Sequence, residues 1–238
     1  MYHGWQVQPR ENSVQATMES ALSVLLKDKI SVVGCGRTDA GVHAKQFFLH
    51  FDYENAIDEK NLKFRLNSFL PVDIAVFRVF KVQQDAHARF HAVSRSYEYR
   101  ISMEKNVFLS DTALQLMQAE LDVEMMNAGA RLLLKYEDFK CFSRSKTDVK
   151  TYLCDISEAF WKREGKELIF RISANRFLRN MVRAVVGTLL EVGKDKMSIP
   201  EFEEVIKSRD RTRAGASVKA KGLFLTKVDY PDELFKVS

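Results

Sequence analysis

Cysteine is scarce in this chain. Only Cys35, Cys141 and Cys154 occur among 238 residues, an odd number with no Cys-x-x-Cys pair. That excludes a disulfide framework and a cysteine-based zinc site, and it fits a reducing, cytoplasmic setting. Long apolar runs are absent too. None approaches the roughly 18 residues of a membrane span, and the opening Met1-Tyr2-His3-Gly4-Trp5 has no signal-peptide pattern. No metal-ligand spacing and no internal repeat can be found. What is present is 46% apolar and 29% charged residues, the balance of a globular chain with one large or two modest domains.

The net charge of +5, from 37 basic and 32 acidic residues, is small, but it is clustered. Residues 171–183 hold four arginines and no acid, and residues 207–221 hold six basic residues against Asp210 alone. Such clusters mark either a polyanion partner or a solvated basic face.

The alternation of apolar residues predicts the elements. Asn12-Ser13 caps a helix to about Lys27, with Val14, Met18, Ala21, Leu22 and Leu25 on one stripe. Strands are expected at 30–34, 45–53 and 73–82, with a helix from Asp58 to Leu70 ended by Pro71. From about Asp85 a second half begins. It has a strand from Val93 to Met103 and helix over 109–134, interrupted near Leu121-Asp122. A mobile loop is expected over 139–151, rich in Ser143, Arg144, Ser145, Lys146, Thr147 and Lys150. A hairpin follows over 152–174, then a helix from Phe177 to Val192, one from Ser198 to Lys207 and a strand from Gly222 to Asp229. The halves are 1–84 and 85–238, an α+β class with ferredoxin-like, RRM-like sheets flanked by helices.

Four stretches could carry chemistry. The first is Gly36-Arg37-Thr38-Asp39-Ala40-Gly41-Val42-His43-Ala44, a tight polar loop between two apolar runs. Asp39 is either a turn former or a carboxylate held in place and kept ionised by Arg37. His43 could touch phosphate or satisfy the loop. The second is Arg95-Ser96-Tyr97-Glu98-Tyr99, where alternation sets Arg95, Tyr97 and Tyr99 on one face. That face suits an unstacked base, or else these are core tyrosines. In the third, Asn175 to Arg183, a helix would bring Arg176, Arg179 and Arg183 within about 60° of one another. Gly187 lies on their side, where a close backbone approach or packing on a strand would explain it. The fourth is Lys221-Gly222-Leu223-Phe224-Leu225, by itself a core strand.

Together these motifs resemble the tRNA pseudouridine synthase A family. The resemblance rests on the contiguous stretch 36–44, on Arg95-x-Tyr97-x-Tyr99, on Met181-Val182-Arg183, and on matching spacing over 67–73, 87–99, 175–192 and 228–231. Tyr2-His3-Gly4-Trp5-Gln6 resembles a family segment that normally follows an N-terminal strand, so that first strand is expected to be missing here. The resemblance implies the pseudouridine synthase fold, with Asp39 as nucleophile, Tyr97 against the target uracil and Arg183 paired with Asp39. Leu223 is implied to pack on the base. Arg37, Arg89, Arg95, Arg176, Arg179 and His43 are the expected RNA contacts. It further implies a homodimer that binds tRNA and modifies uridines at three adjacent positions of the anticodon stem-loop. Breaking and remaking a glycosidic bond this way needs no metal or redox cofactor. Two other readings share the residues: a tRNA-binding module without chemistry, and a nucleoside or glycoside hydrolase using Asp39 with a water, which a second carboxylate near Asp39 would favour.

Overall fold

The computed structural model describes residues 2–117, 120–144 and 149–236. In chain order its main elements are α1 (Val14–Leu26), β1 (Val33–Gly34), β2 (His43–Ala44), β3 (Leu49–His50), α2 (Glu59–Phe69), β4 (Ser94–Ser102), β5 (Leu114–Gln115), α3 (Val123–Leu133), β6 (Ile156–Glu164), β7 (Glu167–Ala174), α4 (Met181–Gly193), α5 (Ile199–Ser208) and β8 (Leu223–Asp229). The chain divides into two units. One takes the residues up to Gly41, Phe47–Ala92 and the end from Asp229, and the other takes Val42–Gln46 and Val93–Val228.

The first unit is built on two capped helices. The Ser13 hydroxyl accepts from the Ala16 amide at the start of α1, and the Asp58 carboxylate accepts from Asn61 at the start of α2. Met18, Ala21 and Leu22 from α1 meet Leu62 and Leu66 from α2 in a core completed by Trp5, Ile30, Val32 and Leu70. Strand pairing is short. β1 and β3 pair antiparallel over two residues, with Val33 opposite His50. The strands expected over 30–34 and 45–53 shrink to these pairs, and no ladder forms over 73–82 among the described residues. The apolar alternation there is still used, because Ile74, Val76 and Val79 pack on the core. The Asn67 side chain takes the place of a neighbouring strand. Its Oδ1 accepts from the Val76 amide at 2.7 Å and its Nδ2 donates to the Val76 carbonyl at 2.8 Å.

The second unit carries a mixed sheet in the order β2-β8-β4-β7-β6, with β5 paired to β4. β4, β7 and β6 run antiparallel, and Tyr97 lies opposite Ile172. The pairs β2 with β8 and β5 with β4 are parallel. One face of the sheet, with Tyr99, Ile101, Phe170, Ile172 and Trp161, packs on α3 and α4. Along α4 all but Arg183 and Glu191 are buried, so the helix is enclosed all round. The Ser198 capping box and Pro200 start α5 as expected.

Three expectations in this unit are corrected. Residues 107–109 form a single 3-10 turn and 114–115 a strand, in place of the first helical piece. Asn106 caps that turn, and Gln115 bonds both backbone groups of Asn106. The second piece is α3, capped by Asp122. In the expected loop, Phe139, Cys141 and Phe142 are core residues, because burying three apolar side chains outweighs the polarity around them. Ser145, Lys146 and Thr147 lie outside the described residues. Third, α4 begins at Met181 and not at Phe177. Asn180 adopts a left-handed backbone (φ 66°), which stops the helix from extending further back.

On the opposite face of the sheet, Glu98 meets Lys45 Nζ at 2.9 Å, Arg171 Nη2 at 3.1 Å and Arg100 Nη2 at 3.4 Å. Burial pushes its pKa up. Hydrogen bonds and charge from Lys45, with Arg100 and Arg171, outweigh that and hold it below the ordinary 4.5. A carboxylate depressed in the fold adds stability above its unfolded pKa and loses it as pH falls. Glu98→Gln should therefore unfold at lower urea than wild type at pH 7, with the gap closing below about pH 4. A gap that persists in acid would mean packing, not charge. A second test concerns Gly34, where a Cβ would lie 2.5 Å from the Trp5 ring. Gly34→Ala should cost about 1–3 kcal/mol in urea unfolding, the usual scale of overpacking.

Candidate active site

Between β1 and β2 the chain runs through the loop that carries Asp39, and a second piece of backbone holds this loop from the side. The Trp5 amide donates to the Thr38 carbonyl at 3.1 Å. Gly4 has φ +92°, and a Cβ there would lie 2.4 Å from Thr38 O and 3.1 Å from the Asp39 carbonyl carbon. Only glycine allows both the backbone angle and that approach. The Trp5 ring is buried and lies 4.2 Å from the Phe47 ring, which anchors the brace in the core. The Cys35 amide donates to Phe48 O at 2.8 Å at the loop's entry, and Gly41 turns its exit with φ +78°. Asp39 is half-buried on this frame and Arg37 is exposed. Arg89 is exposed in the same unit, with its guanidinium carbon 5.7 Å from the Phe90 ring centre.

The second unit gathers the remaining candidates. His43, on β2, donates from Nε2 to Asp111 O at 2.9 Å and stacks on Phe224 at 4.7 Å. Tyr97 is half-buried on β4 and meets Phe177 edge-on at 5.1 Å. Tyr99 is fully buried and donates its hydroxyl to Lys219 O at 2.7 Å. Burial pushes its pKa well up, further than the Arg183 charge lowers it, so it is a core tyrosine. Arg95 Nη1 donates to Asn175 O at 2.9 Å. Leu223 is 6% exposed and belongs to the apolar core.

Arg183 is held by the segment 214–219, which lies along α4. Its Nε donates to Val218 O at 2.7 Å, and the Val218 amide returns a bond to Arg183 O at 3.2 Å. The Gly215 amide donates to Thr188 Oγ1 at 2.9 Å, and Asn180 Nδ2 donates to Ser217 Oγ at 2.6 Å. A Cβ at Gly187 would fall 1.8 Å from Ala216 O. The glycine in mid-helix is thus a close backbone approach, and the loop that makes it carries the basic residues 209–221. The late start of α4 corrects the expected arginine face. Arg183 is on the helix, while Arg176 and Arg179 precede it. Arg176 Nη1 reaches Thr151 O at 3.5 Å, and the Arg179 carbonyl accepts from the Arg144 amide at 3.1 Å.

A family model described as tRNA pseudouridine synthase matches residues 130–231. Nearly the whole chain also aligns with curated relatives. It is 48% identical over 237 residues to the tRNA pseudouridine synthase A of Bacteroides thetaiotaomicron, covering 98% of this chain and 88% of that protein. The protein of that name from Parabacteroides distasonis is 48% identical, with 99% and 94% covered, and the one from Bacillus pumilus is 39% identical, with 96% and 94% covered. The chain belongs to the tRNA pseudouridine synthase A family.

For a member of this family, the sequence motifs name candidate side chains and give little sign of what holds them. Gly4 and Trp5 stood in a recognised segment, yet nothing in it told that they brace Thr38 and Asp39. The helix expected from Phe177 gives no sign that this ring is the neighbour of Tyr97. The strap over α4 had one signal, Gly187. Gly187→Ala should push Ala216 off the helix and free the basic segment. Trypsin should then cut within 209–221 at least about 10-fold faster than in wild type, an opening made easier by about 1.4 kcal/mol. Equal cleavage rates would show that the strap does not depend on the glycine.

Proposed function

We propose that this protein isomerises uridine to pseudouridine in tRNA, acting on three adjacent positions of the anticodon stem-loop. The observation that carries this reading is the family match along the whole chain, together with a single carboxylate, Asp39, on a loop braced by Gly4 and Trp5. The reaction breaks the bond from N1 of uracil to C1′ of ribose, turns the base and joins C5 to C1′. A proton leaves C5 and N1 gains one, so no oxidant or reductant is consumed.

Asp39 is the proposed nucleophile, or the base that removes a sugar proton to give a glycal. In either route an ionised carboxylate meets positive charge developing at the sugar. Tyr97, half-buried and edge-on to Phe177, is assigned to the uracil. Arg183 is assigned as the cation of the active centre, and its geometry in the 214–219 strap suits a fixed charge. Arg37, His43, Arg89, Arg95, Arg176 and Arg179 are assigned to the RNA, and Leu223 to the base. Reaching the uridine means flipping it from its stack, which costs a few kcal/mol, and dispersed basic residues supply the backbone grip. Exclusion of water would make the fragments rejoin and not hydrolyse. We also propose a cytoplasmic homodimer; three buried cysteines that form no disulfide suit a reducing compartment.

The test is tritium release from tRNA labelled at C5 of uracil. Wild type should release tritium. Asp39→Ala should lose roughly 10⁴-fold or more in turnover, the scale for loss of a nucleophile, while tRNA affinity stays within about 3-fold. Tritium-free binding by both proteins would favour a module without chemistry. Free uracil among the products would favour a hydrolase.

A further inference from the structure

The turn His87 to His91 in the first unit is exposed in sequence character yet fully tied in its backbone. The His87 amide donates to His91 Nδ1 at 3.2 Å, and the Ala88 amide to His50 Nδ1 at 3.0 Å. The Arg89 and Phe90 amides both donate to His87 Nδ1, at 3.1 and 3.2 Å. The His91 amide closes on His87 O at 3.1 Å. Five consecutive amides are thereby satisfied, four of them by imidazole nitrogens. The Tyr230 hydroxyl bonds the Ala88 carbonyl at 2.5 Å. A backbone held this fully gives Phe90 a fixed point of attachment.

Phe90 projects from this turn at 74% exposure. Its ring stacks on His87 at 4.2 Å with planes 28° apart, and His87 in turn lies 4.9 Å from His50. The Arg89 guanidinium is 5.7 Å from the same ring. Other phenylalanines are as exposed, Phe64 at 73% and Phe108 at 92%. Among the described residues, neither of those has a stacked ring or a cation over it. Phe90 therefore differs from a stray surface aromatic in three ways: its backbone is locked, its ring is layered on another, and a cation accompanies it.

We infer that Phe90 is a stacking platform for an unpaired nucleobase of the tRNA, with Arg89 beside it for the backbone. Aromatic rings next to arginine are what an unstacked base finds on RNA-binding surfaces, since every base offers a π face and every nucleotide a phosphate. A locked turn loses little entropy when the base arrives. The His87 ring serves as the layer beneath, so the base extends an existing stack. This inference rests on the tRNA reading above.

The test compares the full-length wild type with Phe90→Ala, Phe90→Leu and Phe90→Trp, using unfractionated tRNA in equilibrium binding at several salt concentrations. Because Phe90 is exposed, these changes spare the core, and thermal midpoints check this. Alanine and leucine should each weaken binding about 5- to 100-fold, the range of one base stack. Tryptophan should bind within about 3-fold of wild type, and tRNA should quench the new indole. The slope of log affinity against log salt should stay unchanged in all three, because no phosphate contact is lost. Alanine binding as tightly as wild type, or leucine as tightly as tryptophan, would overturn the platform and leave the tRNA reading standing. Failure of wild type itself to bind tRNA would instead overturn that reading, and the platform with it.

Discussion

One backbone hydrogen bond, from the Trp5 amide to the Thr38 carbonyl, sets the position of the loop on which the proposed chemistry rests. A carboxylate on a loose loop has no fixed place, whereas the backbone on either side of Asp39 is held at one. The pin depends on Gly4, whose missing side chain lets the two backbones touch, and on Trp5, whose indole is locked against Phe47 and Gly34. The apolar core of the first unit thus reaches the Asp39 loop through the Trp5 ring. Packing, which is indifferent to chemistry, becomes the source of precision in the loop.

The second unit solves a comparable problem by different means. Arg183 grows out of the most enclosed helix in the chain, where a charged residue is costly unless its donors are used. The 214–219 segment supplies a carbonyl for its Nε and donates the Val218 amide to the Arg183 carbonyl in return. Gly187 and Thr188, one turn along, provide the clearance and the hydroxyl that let the strap lie flat. Tyr99 adds a fourth tie at Lys219. The basic residues that follow and precede the strap are therefore not on a loose tail, although their sequence resembles one.

Motifs in contiguous sequence were the legible part. Asp39, Tyr97 and Arg183 stand out as candidates because each lies in a short pattern, and the helix caps at Ser13, Asp58, Asp122 and Ser198 are readable because capping is local. What could not be read depends on partners far along the chain. The segment 73–82 alternates like a strand, but an asparagine side chain, Asn67, answers its backbone. Residues 107–117 have helical composition and yield to the pairing of β5 with β4. Phe139 and Phe142 hide in a basic stretch because the core claims them one at a time. Asn180 delays the start of the arginine helix through a left-handed angle that asparagine tolerates better than most residues, and this leaves Arg176 and Arg179 off the expected face.

The nine-residue stretch 36–44 does not belong to a single unit: its first six residues lie in one and its last three in the other. β2, the second unit's share, is the edge strand that covers β8, about 180 residues later in the chain, with His43 opposite Phe224. No single cut can release either unit whole. A fragment that starts at Val93 would leave β8 with open hydrogen-bond positions and Phe224 without His43, an edge ready to pair with another chain. Each unit can complete its fold only when the chain has been made almost to its end, so during synthesis the loop bearing Asp39 waits for a strand that emerges last.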